Sequence, residues 1–436
     1  MLPPGALDNA ALQLSEGEVV LSRSRLDRLT FLRGSAVAAA GIPVFIPNLG
    51  RSADTLKIGV SEELTGVYAY PARNEVNGMR MAVADRNKAG GVLGRQVELV
   101  VEDNANNPGT AVEKARKLIQ VDNVVALMGT VNSAVSMATS GVALENKIPY
   151  IDSGGHADQV TGAECHWTTY RTCHSTWMET HATGYSIEKK FGKKWYFITP
   201  DYSFGHALLT GYQDMQSKLG VQIVGTDLTP LGTTDFSAYL TKVLSAKPDV
   251  LILMVQGEDL INALKQANSS GLLKQLPVAG PQGELEVFWS LPKEARVGYW
   301  GFEWYYNSPI VLGGNTHAKQ FVAAYTAQHN EPPTARSAFG YITATRMMDA
   351  FAAAKGTDPV AVAHAIAGPV DALCGSPAHY RDVDHQLIWP MWFGDVRPDG
   401  TAHDPKDIFN VIDEQPGDKI ERTDAEMSSI CKIAYP

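Results

Sequence analysis

From residue 56 onward, short apolar runs alternate with longer stretches in which apolar residues recur every three or four positions. Residues 56–60 and 97–101 have the pattern of buried strands, and residues 74–88 have that of a helix with Val76, Met79 and Val83 on one face. Strands that alternate with helices are typical of βαβ units and a parallel sheet. The pattern therefore predicts an α/β fold.

The same alternation then begins a second time. After residue 175 it predicts helices at 178–191, 206–219 and 235–246, and strands at 195–199, 221–224 and 250–254. Two runs of similar order, each about 120 residues long, predict two Rossmann-like lobes with parallel-rich sheets rather than one large sheet.

The last third of the chain is expected to cross between the lobes. The aromatic run at 298–306 is interpreted as a strand that returns to the first lobe, where two helices follow at 316–329 and 337–355. Strand-like runs at 386–394 and 408–412 then belong to the second lobe. Such crossings form a multi-strand hinge. We therefore assign residues 56–174 and 302–370 to lobe 1, residues 175–301 and 371–415 to lobe 2, and residues 416–436 to a C-terminal tail.

Residues 1–55 resemble an export signal and leader rather than part of a fold. Arg23, Arg25, Arg28 and Arg33 precede an apolar run at 34–46 that is too short to anchor the chain in a bilayer. Residues 28–33 resemble a twin-arginine export motif in which Leu29 replaces the second arginine. We predict a soluble periplasmic protein, with the twin-arginine route as one option; the alternative is a disordered N-terminal arm.

Composition narrows the classes of partner. The 436 residues carry a formal net charge of −10, which argues against nucleic acid and against anionic membrane surfaces. The four cysteines, Cys165, Cys173, Cys374 and Cys431, include no C-x-x-C pair and no histidine at metal-site spacing, so neither a metal nor a cofactor is predicted. In an exported monomer Cys165 can pair with Cys173, and Cys374 with Cys431. Three connectivities stay open, and four reduced thiols are the alternative.

One stretch suggests a binding site. The apolar run at 124–128 ends at Gly129, and Asn132 and Ser133 then occupy the N-cap region of a helix that starts near Ala134. Unpaired backbone N–H groups, the helix dipole and the Ser133 hydroxyl together would form a neutral socket for a small carboxylate. The alternative is that Ser133 merely caps its helix.

A second loop of similar character follows the next predicted strand, at residues 149–151. It contains Ser153, Gly154, Gly155 and His156. Neighbouring strands whose carboxyl ends open into small, Gly- and Ser-rich loops form a ligand crevice in α/β sheets. We expect this loop and the Asn132–Ser133 loop to face the same ligand.

Short motifs in a constant order extend this picture over residues 56–415. They are Leu64-Thr-Gly, Asn77-Gly, Gly90-Gly-Val-Leu-Gly, Glu102-Asp, Pro149-Tyr-Ile, Phe204-Gly, Gly232-Thr-Thr-Asp-Phe-Ser, Lys247-Pro-Asp-Val and Asp384-His-Gln. This string resembles the branched-chain amino-acid-binding protein family, the periplasmic solute receptors of ABC importers with the type I two-lobed fold. The resemblance implies a receptor that closes on a small solute, docks on a membrane permease and performs no catalysis.

The resemblance also implies roles for individual residues. Ser133 and the Ser153–His156 loop would hold the ligand carboxylate. An aromatic contact would come from Tyr68 or Tyr70 on the loop after the first strand. Another would come from Phe204, with Tyr202 nearby. Packing of these rings against the neighbouring lobe is the alternative for each of them.

Two positions depart from the family pattern. Gln282 stands where amino-acid binders carry a glutamate for the ligand ammonium, and Gln256 replaces another aromatic contact. The change at Gln282 argues against a plain amino acid. The Asp384-His-Gln and Gly232-Thr-Thr-Asp-Phe motifs resemble the subgroup of the family that takes up aromatic or other organic acids and amides. The rival interpretations are a cytosolic amide sensor of the same fold and an enzyme. The chain contains no G-x-S-x-G elbow, no P-loop and no H-E-x-x-H, which argues against an enzyme.

Overall fold

Alternate residues of the strands pack on opposite faces of two separate sheets. In β6 (Lys194–Pro200), Trp195 and Phe197 belong to one apolar cluster, whereas Tyr196 and Ile198 belong to another. This period of two is what a strand covered by helices on both faces requires. The computed structural model describes residues 55–436. The predicted leader, including its arginine-rich segment, lies outside the described residues apart from Thr55.

The first sheet is entirely parallel. Its order is β2 (Val97–Asp103), β1 (Leu56–Glu62), β3 (Leu127–Met128), β4 (Tyr150–Asp152) and β5 (Thr169–Arg171). The strand order reverses between β1 and β3, because β2 lies on one side of β1 and the later strands lie on the other. In open α/β sheets the loops at the carboxyl ends of such strands diverge and leave a crevice. Residues 63–68 and 129–132 are those loops.

The second sheet has seven strands. Its order is β15 (Phe409–Gln415), β14 (Met391–Val396), β10 (Tyr299–Phe302), β9 (Val278–Gly280), β8 (Val250–Leu253), β6 and β7 (Gln222–Thr229). The strands from β6 to β10 are parallel, and β14 and β15 run antiparallel to their neighbours. Here the order reverses between β6 and β8, so the loops that carry Tyr202 and Gln256 flank the second crevice.

Helices cover both faces of each sheet. They are α1 (Ala69–Lys88), α2 (Pro108–Gln120), α3 (Ser133–Asn146), α4 (Thr176–Phe191), α5 (Ser203–Leu219), α6 (Ser237–Ala246), α7 (Gly257–Ser269), α8 (Leu285–Trp289), α9 (Pro309–Leu312), α10 (Thr316–His329), α11 (Ala335–Ala354), α12 (Pro359–Ile366), α13 (Gly417–Ile420) and α14 (Asp424–Ile430). Helix α11 packs along α1 beside the first sheet, and α4 packs against α5 beside the second.

Several predicted boundaries differ from the structure. Helix α1 begins at Ala69, before the predicted residue 74, because Pro71 falls in its first turn, where no intrahelical N–H is needed. Strand β10 does not return to the first lobe: it pairs with β9 and β14 in the second sheet, and the chain leaves that sheet only after Phe302. A third, antiparallel sheet consists of β11 (Gly368–Val370), β12 (Ala378–Tyr380) and β13 (Leu387–Ile388).

The cysteine pairings favoured for an exported chain are wrong. The disulfide joins Cys165 to Cys431, whose Cα atoms lie 5.7 Å apart, whereas Cys173 and Cys374 are buried free thiols. The physical reason is that α14 ends at Cys431 beside the loop that contains Cys165, which places the C-terminal tail against the first lobe. Within residues 55–436 no helix combines the length and the apolar character that a bilayer span requires.

Candidate solute site between the two sheets

The loop after β3 caps helix α3 as predicted. The Asn132 side chain accepts hydrogen bonds from the backbone N–H groups of Ala134 (2.8 Å) and Val135 (3.3 Å). Asn132 is therefore the N-cap, and α3 begins at Ser133. Of the two residues in the predicted capping pair, Asn132 is therefore the cap, and Ser133 makes other contacts.

The expected carboxylate socket in this loop is already filled by the protein itself. The Glu63 carboxylate accepts hydrogen bonds from the N–H groups of Val131 (2.9 Å) and Asn132 (3.2 Å), and from the Thr130 hydroxyl. The Ser133 hydroxyl is buried and accepts a hydrogen bond from the Ala157 N–H at 2.9 Å. The backbone N–H groups of Val131 and Asn132 are thus engaged by Glu63 and are not available to a ligand. The Ser133 hydroxyl accepts in its contact with Ala157 and keeps its own proton to donate.

The second predicted loop is also largely occupied by internal contacts. The Ser153 hydroxyl donates to the Glu75 carboxylate, and the N–H groups of Gly154 and Gly155 donate to the Asp152 carboxylate. A Cβ at Gly154 would overlap the Glu75 side chain, so glycine is needed for this close approach. Ser153, Gly154 and Gly155 therefore shape the site from behind and do not line it.

A small pocket lies where the crevices of the two sheets meet; its cavity volume is about 10 Å³. The loops after β1, β4, β6, β8 and β9 supply six of the predicted site residues to its wall, and the structure adds two others. The lining residues are Tyr68, Val131, His156, Tyr202, Phe204, Gln256, Gln282 and Arg336.

Tyr70, in contrast, is not part of the pocket. It lies in the first turn of α1, where its hydroxyl is 3.4 Å from both carboxylate oxygens of Glu331. Because the helix starts earlier than predicted, Tyr70 points away from the loop that carries Tyr68. The choice between the two tyrosines left open by the sequence therefore falls on Tyr68.

Aromatic side chains form one wall of the pocket. The hydroxyl groups of Tyr68 and Tyr202 lie 2.8 Å apart and connect a loop of the first sheet to a loop of the second. Phe204, in the first turn of α5, meets the His156 ring edge-on with centroids 6.0 Å apart. These rings offer flat apolar surface for the body of a solute.

Two amides form the polar side of the pocket. The Gln282 Nε2 group lies 2.8 Å from His156 Nε2 and 2.7 Å from Glu303 Oε2, and Gln256 Nε2 donates to the Gln282 carbonyl at 3.1 Å. The Oε1 atoms of both glutamines are buried and have no hydrogen-bond partner among the described residues. The two amides therefore present acceptors that a solute with N–H groups can satisfy.

Arg336 is a pocket residue that the sequence analysis missed. Its guanidinium donates to Glu284 (2.6 Å) and Glu75 (2.9 Å), and to the Gly154 carbonyl at 3.3 Å. Burial raises the pKa of Glu75 to about 8, although Arg336 opposes that shift. The only indication in the sequence was its position two residues after Thr334, the residue that caps α11. No neighbouring residue indicated that this arginine lies in the cleft.

A second buried group of charges lies behind His156. Glu303 Oε1 accepts hydrogen bonds from the backbone N–H and the Nδ1 of His174, both at 3.0 Å. Burial alone would raise the pKa of Glu303, but His156 and His174 outweigh it and hold that pKa well below its usual range. Burial raises the pKa of the neighbouring Glu179 well above its usual range. The sequence analysis assigned no role to these carboxylates.

Two α/β sheets whose strand ends enclose one small pocket define a two-lobed solute-binding protein. The chain belongs to the periplasmic binding protein family, whose model matches residues 55–401. Proteins of this family are substrate-binding proteins of ABC transporters rather than enzymes. The resemblance and the fold class inferred from the sequence are therefore confirmed.

Individual relatives share most of the chain. Leu/Ile/Val-binding protein homolog 7 of Brucella suis biovar 1 is 29% identical over 344 residues, covering 75% of this chain and 84% of that protein. A periplasmic binding protein of Burkholderia mallei is 28% identical, with a TM-score of 0.79 over 86% of this chain and 98% of its own. An amino acid ABC transporter substrate-binding protein of Pseudomonas fluorescens Pf-5 is 25% identical, with a TM-score of 0.78 over 87% and 99%.

Proposed function

We propose that this substrate-binding protein is an exported receptor that delivers a small amide, or another solute rich in N–H donors, to an ABC importer permease. The observation that carries the proposal is the pair of buried amide oxygens of Gln256 and Gln282, which line the pocket without a partner among the described residues. An unpaired buried acceptor costs about 1–3 kcal/mol. A solute that donates a hydrogen bond to each oxygen removes this cost. The pocket therefore binds such a solute more tightly than a solute without N–H donors.

A free carboxylate finds fewer partners in this pocket. The Glu63 side chain already accepts from the backbone donors of the loop after β3. The Arg336 guanidinium is engaged by Glu75 and Glu284. A second anion would therefore compete with carboxylates that are held at buried positions, and this competition favours the amide over the organic acid.

The aromatic lining of the pocket supports a partly planar solute. Tyr68, Tyr202 and Phe204 supply ring faces on which a flat group can stack. The named relatives include amino-acid binders. Here the Gln282 amide takes the place of a carboxylate in the corresponding loop, which supports a departure from plain amino acids.

Calorimetry with matched pairs of solutes tests the proposal. We expect benzamide, isovaleramide or leucinamide to bind at least about tenfold more tightly than benzoate, isovalerate or leucine, since the carboxamide of each amide donates hydrogen bonds where the carboxylate of the matching acid cannot. The substitution Gln256→Met removes one acceptor and should reduce the preference, whereas Gln275→Met, at an exposed position outside the pocket, should leave it unchanged. Tighter binding of the acids would overturn the proposal.

The location of the receptor is tested separately. The basic and then apolar order of residues 23–46 supports export. Fractionation of cells should find a shortened chain in the periplasm, with its new N-terminus before residue 56, because β1 starts there. Full-length chain in the cytoplasm would favour the cytosolic sensor instead.

A further inference from the structure

Three buried side chains converge beside the solute pocket. They are His156 from the loop after β4, Glu179 from the first turn of α4 and Glu303 from the segment after β10. One ligand atom from each lies within 4.8 Å of the others, and all three side chains are buried. The group therefore brings together a nitrogen and two carboxylates from segments that lie far apart in the sequence.

The histidine is oriented to present a lone pair to this group. Its Nδ1 lies 2.6 Å from the Gly154 carbonyl, so Nδ1 carries the proton and donates. Nε2 then faces Glu303 Oε2 at 2.8 Å and Glu179 Oε1 at 3.6 Å. A ring nitrogen fixed by a backbone carbonyl, with its partner nitrogen free, is the usual arrangement of a metal-binding histidine.

The two carboxylates are arranged in a complementary way. Glu303 uses Oε1 for His174, which orients the carboxylate so that Oε2 points at the centre of the group. Glu179 has no hydrogen-bond partner for either oxygen among the described residues, although its side chain is fully buried. A buried carboxylate in this condition needs a cation or a strong donor.

We propose that His156, Glu179 and Glu303 bind a divalent transition-metal cation such as Zn²⁺. In a tetrahedral site, metal–ligand bonds of about 2.0–2.2 Å place neighbouring ligand atoms about 3.3–3.6 Å apart. The two separations from His156 Nε2 are 2.8 and 3.6 Å, and the three ligand atoms all lie within 4.8 Å of one another, so a cation requires only small shifts of the side chains. One imidazole with carboxylates suits zinc and its neighbours, whereas Ca²⁺ and Mg²⁺ favour oxygen ligands throughout.

Gln282 borders the group on the side of the pocket. Its Nε2 lies 2.8 Å from His156 Nε2 and 2.7 Å from Glu303 Oε2. A proton shared by His156 and Glu303 would also account for their short contact, but it would leave both oxygens of Glu179 unpaired, and this favours the cation.

Metal titration of the purified full chain tests the site. After dialysis against EDTA, calorimetry with ZnCl₂ should show one site per chain, and mass spectrometry should recover one zinc per chain. Loading with Co²⁺ should give visible absorption without a thiolate charge-transfer band, because no cysteine belongs to the group. A chain that takes up no metal in either measurement overturns the proposal.

Matched variants locate the binding. Glu179→Gln keeps the shape of the side chain and should weaken zinc binding by more than the 10–100-fold that loss of an outer-shell partner costs. Glu62→Gln is the control, because Glu62 is also fully buried and without a partner among the described residues but lies outside the group. Circular dichroism checks that both variants fold. Equal affinity in all three proteins, or equal loss in both variants, would contradict the assignment.

The metal site does not depend on the identity of the solute. Benzamide calorimetry on the EDTA-treated protein reports on the pocket alone, so failure of the solute proposal and failure of the metal proposal are distinguishable.

Discussion

The carboxylate of Glu63 accepts a hydrogen bond from the backbone N–H of Asn132, at 3.2 Å. The start of α3 is a favourable position for an anion, and the protein fills it with its own side chain from the end of β1. Under the proposed function, recognition of the solute therefore falls to the amides and aromatic rings of the neighbouring loops.

The stability that is lost when the Glu63 carboxylate is removed should be partly restored by a small anion added to the solution. Glu63→Ala leaves the buried N–H groups of Val131 and Asn132 without their acceptor, so we expect the free energy of unfolding to fall by about 1–3 kcal/mol. Formate should recover part of the loss by occupying the same position. Urea denaturation in formate and in chloride at equal ionic strength measures this. Equal recovery in the two salts, or equal effects on the wild type, would contradict the interpretation.

The hydrogen bond between Tyr68 and Tyr202 should stabilise the closed arrangement of the lobes. It joins the loop after β1 to the loop after β6, so its loss in Tyr202→Phe should shift the ratio of closed to open protein by about 2- to 13-fold. Small-angle X-ray scattering, or fluorescence transfer between labels on the two lobes, measures that shift.

Tyr212→Phe provides the matched control for this prediction. The Tyr212 hydroxyl bonds to Thr183 at 2.8 Å, and both residues belong to the paired helices α4 and α5 beside the second sheet. This substitution should lower stability without opening the molecule. If both variants open to the same extent, the contact between the two tyrosines is not what holds the lobes together.

The disulfide between Cys165 and Cys431 should hold the C-terminal tail in place. Peptide mapping without reduction should recover these two cysteines in one linked pair, with Cys173 and Cys374 as thiols. Reduction, or Cys431→Ser, should lower the free energy of unfolding by about 2–5 kcal/mol and expose the tail to proteases. Cys374→Ser serves as the control, since it leaves the linked pair intact; protease resistance of the reduced tail would contradict the role of the bond.

Local pattern was sufficient to predict the two parallel-rich sheets, but not the third, antiparallel sheet. The pocket residues Tyr68, Tyr202 and Gln256 were implied by the resemblance to the family, and they lie close together because parallel strands bring their carboxyl ends to one edge of a sheet. Local pattern also located the Asn132 cap. It could not tell whether the donors beside that cap were free, because their partner, Glu63, lies in a different loop.

The charged part of the site depends on contacts between distant segments. Arg336 and Glu75 are 261 residues apart, and His156 and Glu303 are 147 apart. Neither pair has a spacing that a single sequence reveals. The disulfide could not be selected among the open connectivities for the same reason, since its cysteines are separated by 266 residues. The predicted lobe boundaries remain a prediction.

Buried carboxyl groups should make the protein more stable in mild acid than at slightly alkaline pH. Burial raises the pKa of Asp152 to about 7, although Arg171 opposes the shift, and it likewise raises the pKa of Glu75 to about 8 and of Glu286 to about 7. Because these pKa values exceed those of the unfolded chain, folding takes up protons. The resulting stability is fully present below about pH 4 and is lost as the pH rises through 7 and 8.

Urea denaturation at several pH values between about 5 and 8 measures this dependence. Each of these carboxyl groups should make the free energy of unfolding fall with rising pH, with a slope of up to about 1.4 kcal/mol per pH unit. Buried histidines such as His181 and His385, whose pKa burial lowers, contribute a slope of the opposite sign below about pH 6.5, so the comparison of variants isolates the carboxyl contribution. Asp152→Asn keeps an acceptor for the Gly155 N–H but takes up no proton. The free energy of unfolding of this variant should therefore depend less steeply on pH than that of the wild type, by the contribution of one carboxyl group. Asp235→Asn, at a fully exposed position where hydrogen bonds from Ser237 lower the pKa, should keep the wild-type slope. A stability that is constant over this range, or equal slopes in the wild type and Asp152→Asn, would show that Asp152 is ionised in the folded protein at neutral pH.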